Sequence, residues 1–324
     1  PLYDLAERAW SDRFCEDIVE PERLPEVAWA TEIAGRVTAE AAAQTGLAEG
    51  TPVIVGTADA PAEAVSVGVT APGQMMLMYG STVFMIRVTD RLVTDRRLWA
   101  VPYLFPGTWC LEAGMATSGA LTRWFRDQCA PDMVAAEVSG GPVAYAELAR
   151  GAASVPPGSD GLIVLPYFSG ERTPINDPDA RGVIFGLTLA HTRDHIFRAI
   201  LEGIGYGVRH HVDVMTEIDV CPEEIVAVGG GTQNELWLQI VSDIGEVTQR
   251  VPAITLGASY GDAFQAGLSV GMFDSYRAGD RWLGEGRMIE PDAAHSARYR
   301  LLMDLYLKLY RRTHDMMAAL GRLT

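Results

Sequence analysis

The chain has 324 residues, 42 acidic against 26 basic, and a formal charge of −16 at pH 7. Only one basic residue, Lys308, is a lysine, and it stands in LYLKLY with no glycine loop beside it. This excludes the Walker A loop, the strand lysine of protein kinases and the pyridoxal Schiff base, while the acidity argues against a nucleic-acid backbone as partner. In chain order, WSDRFCEDIV reads as a short helix capped by Ser11, and VTAEAAAQTGL as a second from Thr38 to a stop at Gly46. TPVIVG reads as a buried strand from Pro52 to Gly56, running into the small-residue helix start TADAPAEAVSVGV. QMMLMYGSTVFMIRV predicts a hairpin turning at Tyr79-Gly80-Ser81-Thr82. LWAVPYLFPGTWCLEAG is again strand-like and SGALTRWFRDQ helical; residues 130 to 160 read as looser linking material. GLIVLPYF is a buried strand, followed by a long loop from Ser169 to Arg181 and a long amphipathic helix from the HTRDHIF segment onward. EIVAVGGGTQNELWLQIVSDI reads as strand, glycine turn and helix, ITLGASYGDAFQAGLSVGMF as a closely packed helix, and 293 to 320 as a helical tail. Alternating strands and helices with one antiparallel hairpin predict an α/β fold with a mixed sheet.

The remaining composition is that of an ordinary globular protein, 48% hydrophobic and 21% charged, long enough to bury a large core. No run of roughly 18 apolar residues predicts a membrane span, and no signal-peptide pattern opens the chain. Cys15, Cys110, Cys129 and Cys221 are far apart, as reduced thiols of a cytoplasmic protein would be. His191 and His195 stand four apart at a helix start without an evident third ligand, and His210 and His211 point apart, so no metal site is expected.

Four features carry possible chemistry. Gly229, Gly230 and Gly231 join a strand to a helix at Asn234, a turn that either lets a backbone approach a nucleotide or is only tight. It lacks the GxGxxG spacing, so a dehydrogenase reading resting on it alone is weak. Gly80, Ser81 and Thr82 offer amides and two hydroxyls at a hairpin tip, enough to hold phosphate oxygens without a lysine, or an ordinary turn. Asp59 follows a strand at the mouth of a helix, where it is either an acceptor of a hydroxyl proton or an N-cap, with Glu63 one turn on beside the helix dipole. PYFSGERTPINDPDARGVIFGL is a long loop of the kind that is uncommon without function, although Glu171 and Arg172 could simply be an ion pair holding it.

Taken together these segments resemble the FGGY family of carbohydrate kinases. Gly182-Val-Ile-Phe-Gly-Leu, seven residues, His195-Ile196, two residues and Ala199-Ile-Leu-Glu202 fit that family's second signature, and GERTPINDPDARG looks most like its xylulokinase branch. The order VGTADAPAEAVSVGV, YGST, GMATSGALTRWFRD, GERTP, VGGGTQNELWLQIVSD is the family order, covering nearly all of the chain to Phe273. The resemblance implies an actin-like, ribonuclease H-like ATPase fold and ATP-dependent phosphorylation of a sugar or polyol hydroxyl, a ketopentose such as xylulose. It makes Asp59 the catalytic base, Gly80, Ser81 and Thr82 the second phosphate loop (serine is a mild departure from the family's Gly-Thr), and Gly119, Gly229, Gly230 and Asn234 nucleotide-holding. Mg²⁺ would arrive mainly with ATP, and a homodimer is compatible with the family.

The family's opening Asp-x-Gly-Thr/Ser phosphate loop is absent from the chain, as are the first domain's sugar-binding residues. Residues 1 to 70 therefore resemble the tail end of the N-terminal, sugar-binding domain, and 71 to 324 the C-terminal, nucleotide-binding one. A chain so divided would be a piece of a longer kinase, inactive alone. The rival reading is a non-catalytic nucleotide-binding or dimerisation module.

Overall fold

The computed structural model describes residues 2–323. The fold grows from the hairpin. Gln74–Tyr79 and Val83–Thr89 pair antiparallel with Met78 opposite Phe84 and Tyr79 opposite Val83, leaving Gly80-Ser81-Thr82 as the turn. Both faces of this strand pair are apolar, which marks a sheet covered on both sides. Successive side chains alternate between two cores: Met75, Leu77 and Tyr79 enter one, Met76 and Val88 the other.

Five further strands extend the hairpin into a seven-stranded mixed sheet. Its order is Arg287–Ile289, Gln249–Val251, Glu224–Val228, Gln74–Tyr79, Val83–Thr89, Trp109–Met115, Trp99–Pro102. Glu224–Val228 runs parallel to both of its neighbours, and the other pairings are antiparallel. The parallel strands therefore end at the level of the Gly80–Thr82 turn, and Trp109–Met115 also ends there, with Met115 opposite Val83.

Helices cover each face. On one lie Gly119–Cys129, the 25-residue Arg193–Glu217, Glu235–Gly245 and the C-terminal Ala293–Gly321. On the other lie Asp59–Ser66 and Ala258–Ser269. The last two touch through their backbones: a methyl on Gly261 would stand 1.9 Å from the Ala62 carbonyl oxygen. The long helix passes equally close to the buried strand Ile163–Leu165, where a methyl on Gly203 would lie 2.4 Å from the Val164 carbonyl oxygen. Arg198 and Glu202, one turn apart on that helix, are both buried and paired at 2.9 Å. Glu202 also accepts from the Gly158 amide, the Ser159 hydroxyl and the Tyr299 hydroxyl, tying three elements to one carboxylate.

Three sequence expectations change. The Pro52–Gly56 segment is no buried strand: Pro52–Ile54 pairs only with Ile33–Arg36, and Val53 and Val55 are 46% and 45% exposed. An apolar run is buried on both faces only where both are covered; here Ala258–Ser269 touches the strand and leaves Pro52 and Ile54 half-buried, while Val53 stays on the open side. Residues 130 to 160 are not mainly linking material; they hold the helices Pro131–Val138 and Ala144–Ala153, the first with Pro131 in its first turn. The Ser11 helix is a single turn, Asp12–Cys15, and the Ser11 side chain makes no capping bond. The Thr38 helix is as read, Ala39–Thr45, its Thr38 oxygen accepting from the Ala41 amide and its Gly46 left-handed.

Candidate functional site

At the edge where these strands end, a cleft of about 620 Å³ opens between the hairpin tip, the start of Gly119–Cys129 and the turn before Glu235–Gly245. Gly80, Ser81, Gly119, Gly230 and Asn234 line it together. Thr82 and Gly229 adjoin this lining in sequence without belonging to it, and Asp59 is not part of it.

The glycines have specific reasons. A methyl on Gly119 would lie 2.5 Å from the Gly80 carbonyl oxygen, so only glycine lets the helix start dock on the hairpin. Gly229 has a φ of 91° and passes against the Tyr79 backbone, 2.8 Å from its carbonyl oxygen for an added methyl. Gly230 faces open space, and Gly231 packs under Trp237 and Tyr79. Tyr79 and Trp237 meet edge to face at 5.2 Å, and Tyr79 donates its hydroxyl to Gln249. These rings form a rigid floor.

The docking of the helix start on the hairpin decides which way the donors point. The Gly80 carbonyl accepts from the Gly119 amide at 3.0 Å and the Ser118 hydroxyl at 3.2 Å. The Ser81 carbonyl accepts from the Ser118 and Ala120 amides at 3.1 and 3.0 Å. Because a peptide unit is planar and trans, the Ser81 and Thr82 N–H groups point opposite to those carbonyls, away from the helix start. Among the described residues no hydrogen bond uses these two amides or the Ser81 and Thr82 hydroxyls. The first amides of Gly119–Cys129 are thus spent on the hairpin, and the free donors sit at the hairpin tip.

At the other wall Asn234 accepts the Trp237 amide at 3.1 Å, capping Glu235–Gly245. Its side-chain oxygen is therefore occupied and its NH₂ is left for a ligand. Among the described residues Arg123 is the single charged residue of the lining. In a chain of net charge −16, a cleft with one guanidinium and no carboxylate suits an anion. Thr122, Arg123, Tyr145, Gln233 and Trp237 line the cleft without being evident from sequence; Arg123 and Trp237 lie four and three residues beyond Gly119 and Asn234, which was the available signal.

Asp59 is the first residue of its helix, exposed, and accepts from the Ala60 amide at 2.8 Å; the N-cap position belongs to Ala58. Glu63 serves a neighbouring helix, accepting from the Ala258 amide at the start of Ala258–Ser269, while burial pushes its carboxyl up. Next to Asp59's approach lies a second cavity of about 490 Å³, reached by Gly56 and Thr57 and lined by Arg8, Trp29 and Glu32. Glu171 is buried and makes no ion pair with Arg172 among the described residues; instead it accepts backbone amides. Asp177 of the same loop accepts from the Tyr310 hydroxyl at 2.7 Å. His195 belongs to a capping box with Thr192, and His211 is buried between the Gly207 carbonyl and Thr173. Among the described residues no three His, Cys, Asp or Glu side chains gather as metal ligands would, and no helix is long and apolar enough to cross a membrane.

Comparison with known proteins gives this geometry its relatives. Residues 75–270 match the C-terminal domain model of the FGGY family of carbohydrate kinases, and residues 1–66 match its N-terminal domain model. A gluconokinase of Bacillus subtilis (strain 168) is 30% identical over 295 residues, 90% of this chain and 58% of that protein. A ribulokinase of Anoxybacillus flavithermus (strain DSM 21510 / WK1) is 33% identical over 290 residues, 86% of this chain and 51% of that protein. The crystal structure of xylulose kinase from Rhodospirillum rubrum aligns with a TM-score of 0.89 at 34% identity, covering 98% of this chain and 63% of that one. The chain thus spans between half and two thirds of the length of these relatives. The mixed sheet flanked by helices is the actin-like ATPase fold of such kinases. With the family's domain model matched across more than half its length, the chain belongs to the FGGY family of carbohydrate kinases.

Proposed function

We propose that this chain forms the nucleotide-handling part of an ATP-dependent sugar kinase acting on a ketopentose such as xylulose, or a related polyol. The observation that carries this reading is the convergence of hairpin tip, helix start and glycine turn on one cleft whose only charge among the described residues is Arg123. Residues 1–70 would be the tail of the sugar-binding domain and 71–324 the nucleotide-binding domain, in a cytoplasmic protein.

In this reading the Ser81 and Thr82 amides and hydroxyls donate to phosphoryl oxygens, and Gly119, Gly229 and Gly230 let the nucleotide approach the backbone. The Asn234 NH₂ and Arg123 hold the rest of the nucleotide. Mg²⁺ would be bound mainly through the phosphates, supplying charge neutralisation there. Asp59 takes the proton of the acceptor hydroxyl as its oxygen bonds to the γ-phosphorus, while the bond to the bridging oxygen breaks and ADP leaves. An exposed carboxylate suits a base that must meet a second substrate arriving from solvent. The fact that the cleft is built wholly from residues between Tyr79 and Trp237 favours a second reading, a nucleotide-binding module without turnover of its own.

Calorimetry of the chain with ATP, together with phosphorylation assays on a ketose and polyol panel, separates the two. In the intact enzyme Asp59→Asn should lower kcat by roughly a hundredfold or more while leaving the ATP Kd unchanged. Undiminished turnover in that variant would remove Asp59 from the mechanism.

A further inference from the structure

Outside the cleft's lining lies a carboxyl group that the proposed chemistry does not use. Glu171 is 6% exposed and stands in the long loop between Ile163–Leu165 and Val183–Phe185. Its Oε1 accepts from two backbone amides, Ala116 at 2.6 Å and Arg172 at 2.7 Å. Its Oε2 is buried without a hydrogen-bond partner among the described residues. Burying a carboxyl with one oxygen unpaired costs free energy, and burial pushes this group up to about 7.

What Glu171 holds is the short segment on which the hairpin tip depends. Ala116 is the first residue after Trp109–Met115, and Thr117, Ser118 and Gly119 follow it directly. Thr117 is held from the same side, its hydroxyl donating to the Pro166 carbonyl. Ser118, Gly119 and Ala120 then donate to the carbonyls of Gly80 and Ser81, which sets the direction of the free Ser81 and Thr82 amides. A displacement at Ala116 is therefore passed through two peptide units to the donors that would meet phosphate.

The holding side is itself anchored. The Glu171 amide donates to the Asp177 carbonyl at 2.8 Å, and Asp177 accepts from Tyr310 on the C-terminal helix. Two residues past Glu171, the Thr173 hydroxyl accepts from the Gly114 amide at 2.7 Å, on the same strand end.

We infer that Glu171 is a positioning residue of the phosphate cradle, fixing Ala116–Gly119 from behind so that the hairpin amides face the cleft. The inference rests on the proposed nucleotide role of that cleft. Its mechanical half, the clamp on Ala116, stands apart from it and is measurable without ligand.

The test compares Glu171→Ala, Glu171→Gln and Glu171→Asp in the full chain, by amide hydrogen exchange without ligand and by calorimetry with a non-hydrolysable ATP analogue. Loss of the acceptor oxygen shared by two buried amides should weaken the analogue about tenfold in Glu171→Ala and accelerate exchange at Ala116 and Ser118–Ala120. Glutamine keeps an acceptor oxygen for both amides and should restore both readouts to within about twofold. In the intact enzyme the ATP KM should rise in Glu171→Ala while the sugar KM stays. Wild-type exchange and affinity in Glu171→Ala would overturn the inference. Should the alanine variant fail to fold, Glu171→Asp decides: one methylene shorter, it should lose affinity and protection, and wild-type values in it would overturn the inference. A wild-type chain that binds no analogue refutes the nucleotide reading of the cleft, and exchange at Ala116 still judges the clamp.

Discussion

The cleft and the corner that carries Asp59 differ in how their backbones are held. Around the cleft every turn is bonded on its far side: Gly80 and Ser81 to Ser118–Ala120, Ala116 to Glu171, Thr117 to Pro166, and Asn234 to its own helix. Around Asp59, among the described residues, the preceding strand pairs with one neighbour, Val53 and Val55 are about half exposed, and the carboxylate bonds the adjacent amide. Anchorage there comes instead from the packing of Asp59–Ser66 on Ala258–Ser269, through the backbone contact of Ala62 with Gly261 and the Glu63 carboxyl on the Ala258 amide. A pocket that must orient donors on a fixed anion needs rigidity at each peptide. A base that meets an incoming hydroxyl needs only a firm helix beneath it.

The largest effect should come from the buried pair behind the cleft. Glu202→Ala leaves the Arg198 guanidinium buried without its carboxylate and strips acceptors from Gly158, Ser159 and Tyr299. A loss of about 3–5 kcal/mol is expected, read as a lowered denaturation midpoint with unchanged slope. A loss near zero would mean that the rigidity ascribed to this side has another origin.

Next in size is Gly261→Ala. The added methyl must push Ala62 away, at about 1–3 kcal/mol, moving the helix that begins with Asp59. In the intact enzyme turnover should fall while the ATP Kd holds. A parallel loss of ATP affinity would break the separation of the two regions. Its counterpart is Gly119→Ala, whose methyl would meet the Gly80 carbonyl at 2.5 Å. There the ATP Kd should rise about tenfold or more, matching roughly 1.4 kcal/mol. Unchanged affinity would show that the hairpin can yield.

How much of this was readable in the sequence follows the same division. The hairpin, the glycine turn at Gly229–Gly231 and the two helix starts were legible, because glycine at a forced approach and apolar runs around it leave local marks. Tyr145 was not: it sits on a helix in a stretch punctuated by Gly140-Gly141-Pro142 and Pro156-Pro157-Gly158, whose turn signals hid the helices between them. Glu171 drew notice only as a candidate surface ion pair, since burial by a distant strand end has no sequence signature. Val53 and Val55 misled in the opposite sense. Apolar content speaks of a cover without saying whether one face or both receive it.

The smallest effect is one of slope, and it bears on the rigid side alone. Glu171, pushed up to about 7 from 4.5 by burial, adds a stabilising contribution that is full below pH 4.5 and fades as pH rises through 7. His211, buried with Nδ1–H given to Gly207 and Nε2 left to accept the Thr173 hydroxyl, is pushed down to about 4 from 6.5. Its contribution runs the other way, full above pH 6.5 and lost as pH falls through 4. Between pH 4.5 and 6.5 the two slopes oppose each other. Glu171→Gln removes the falling one, so Tm measured across that window should climb with pH more steeply in the variant than in the parent. Equal slopes would mean that Glu171 does not titrate there, and that its carboxyl is better solvated than the bonds to Ala116 and Arg172 allow.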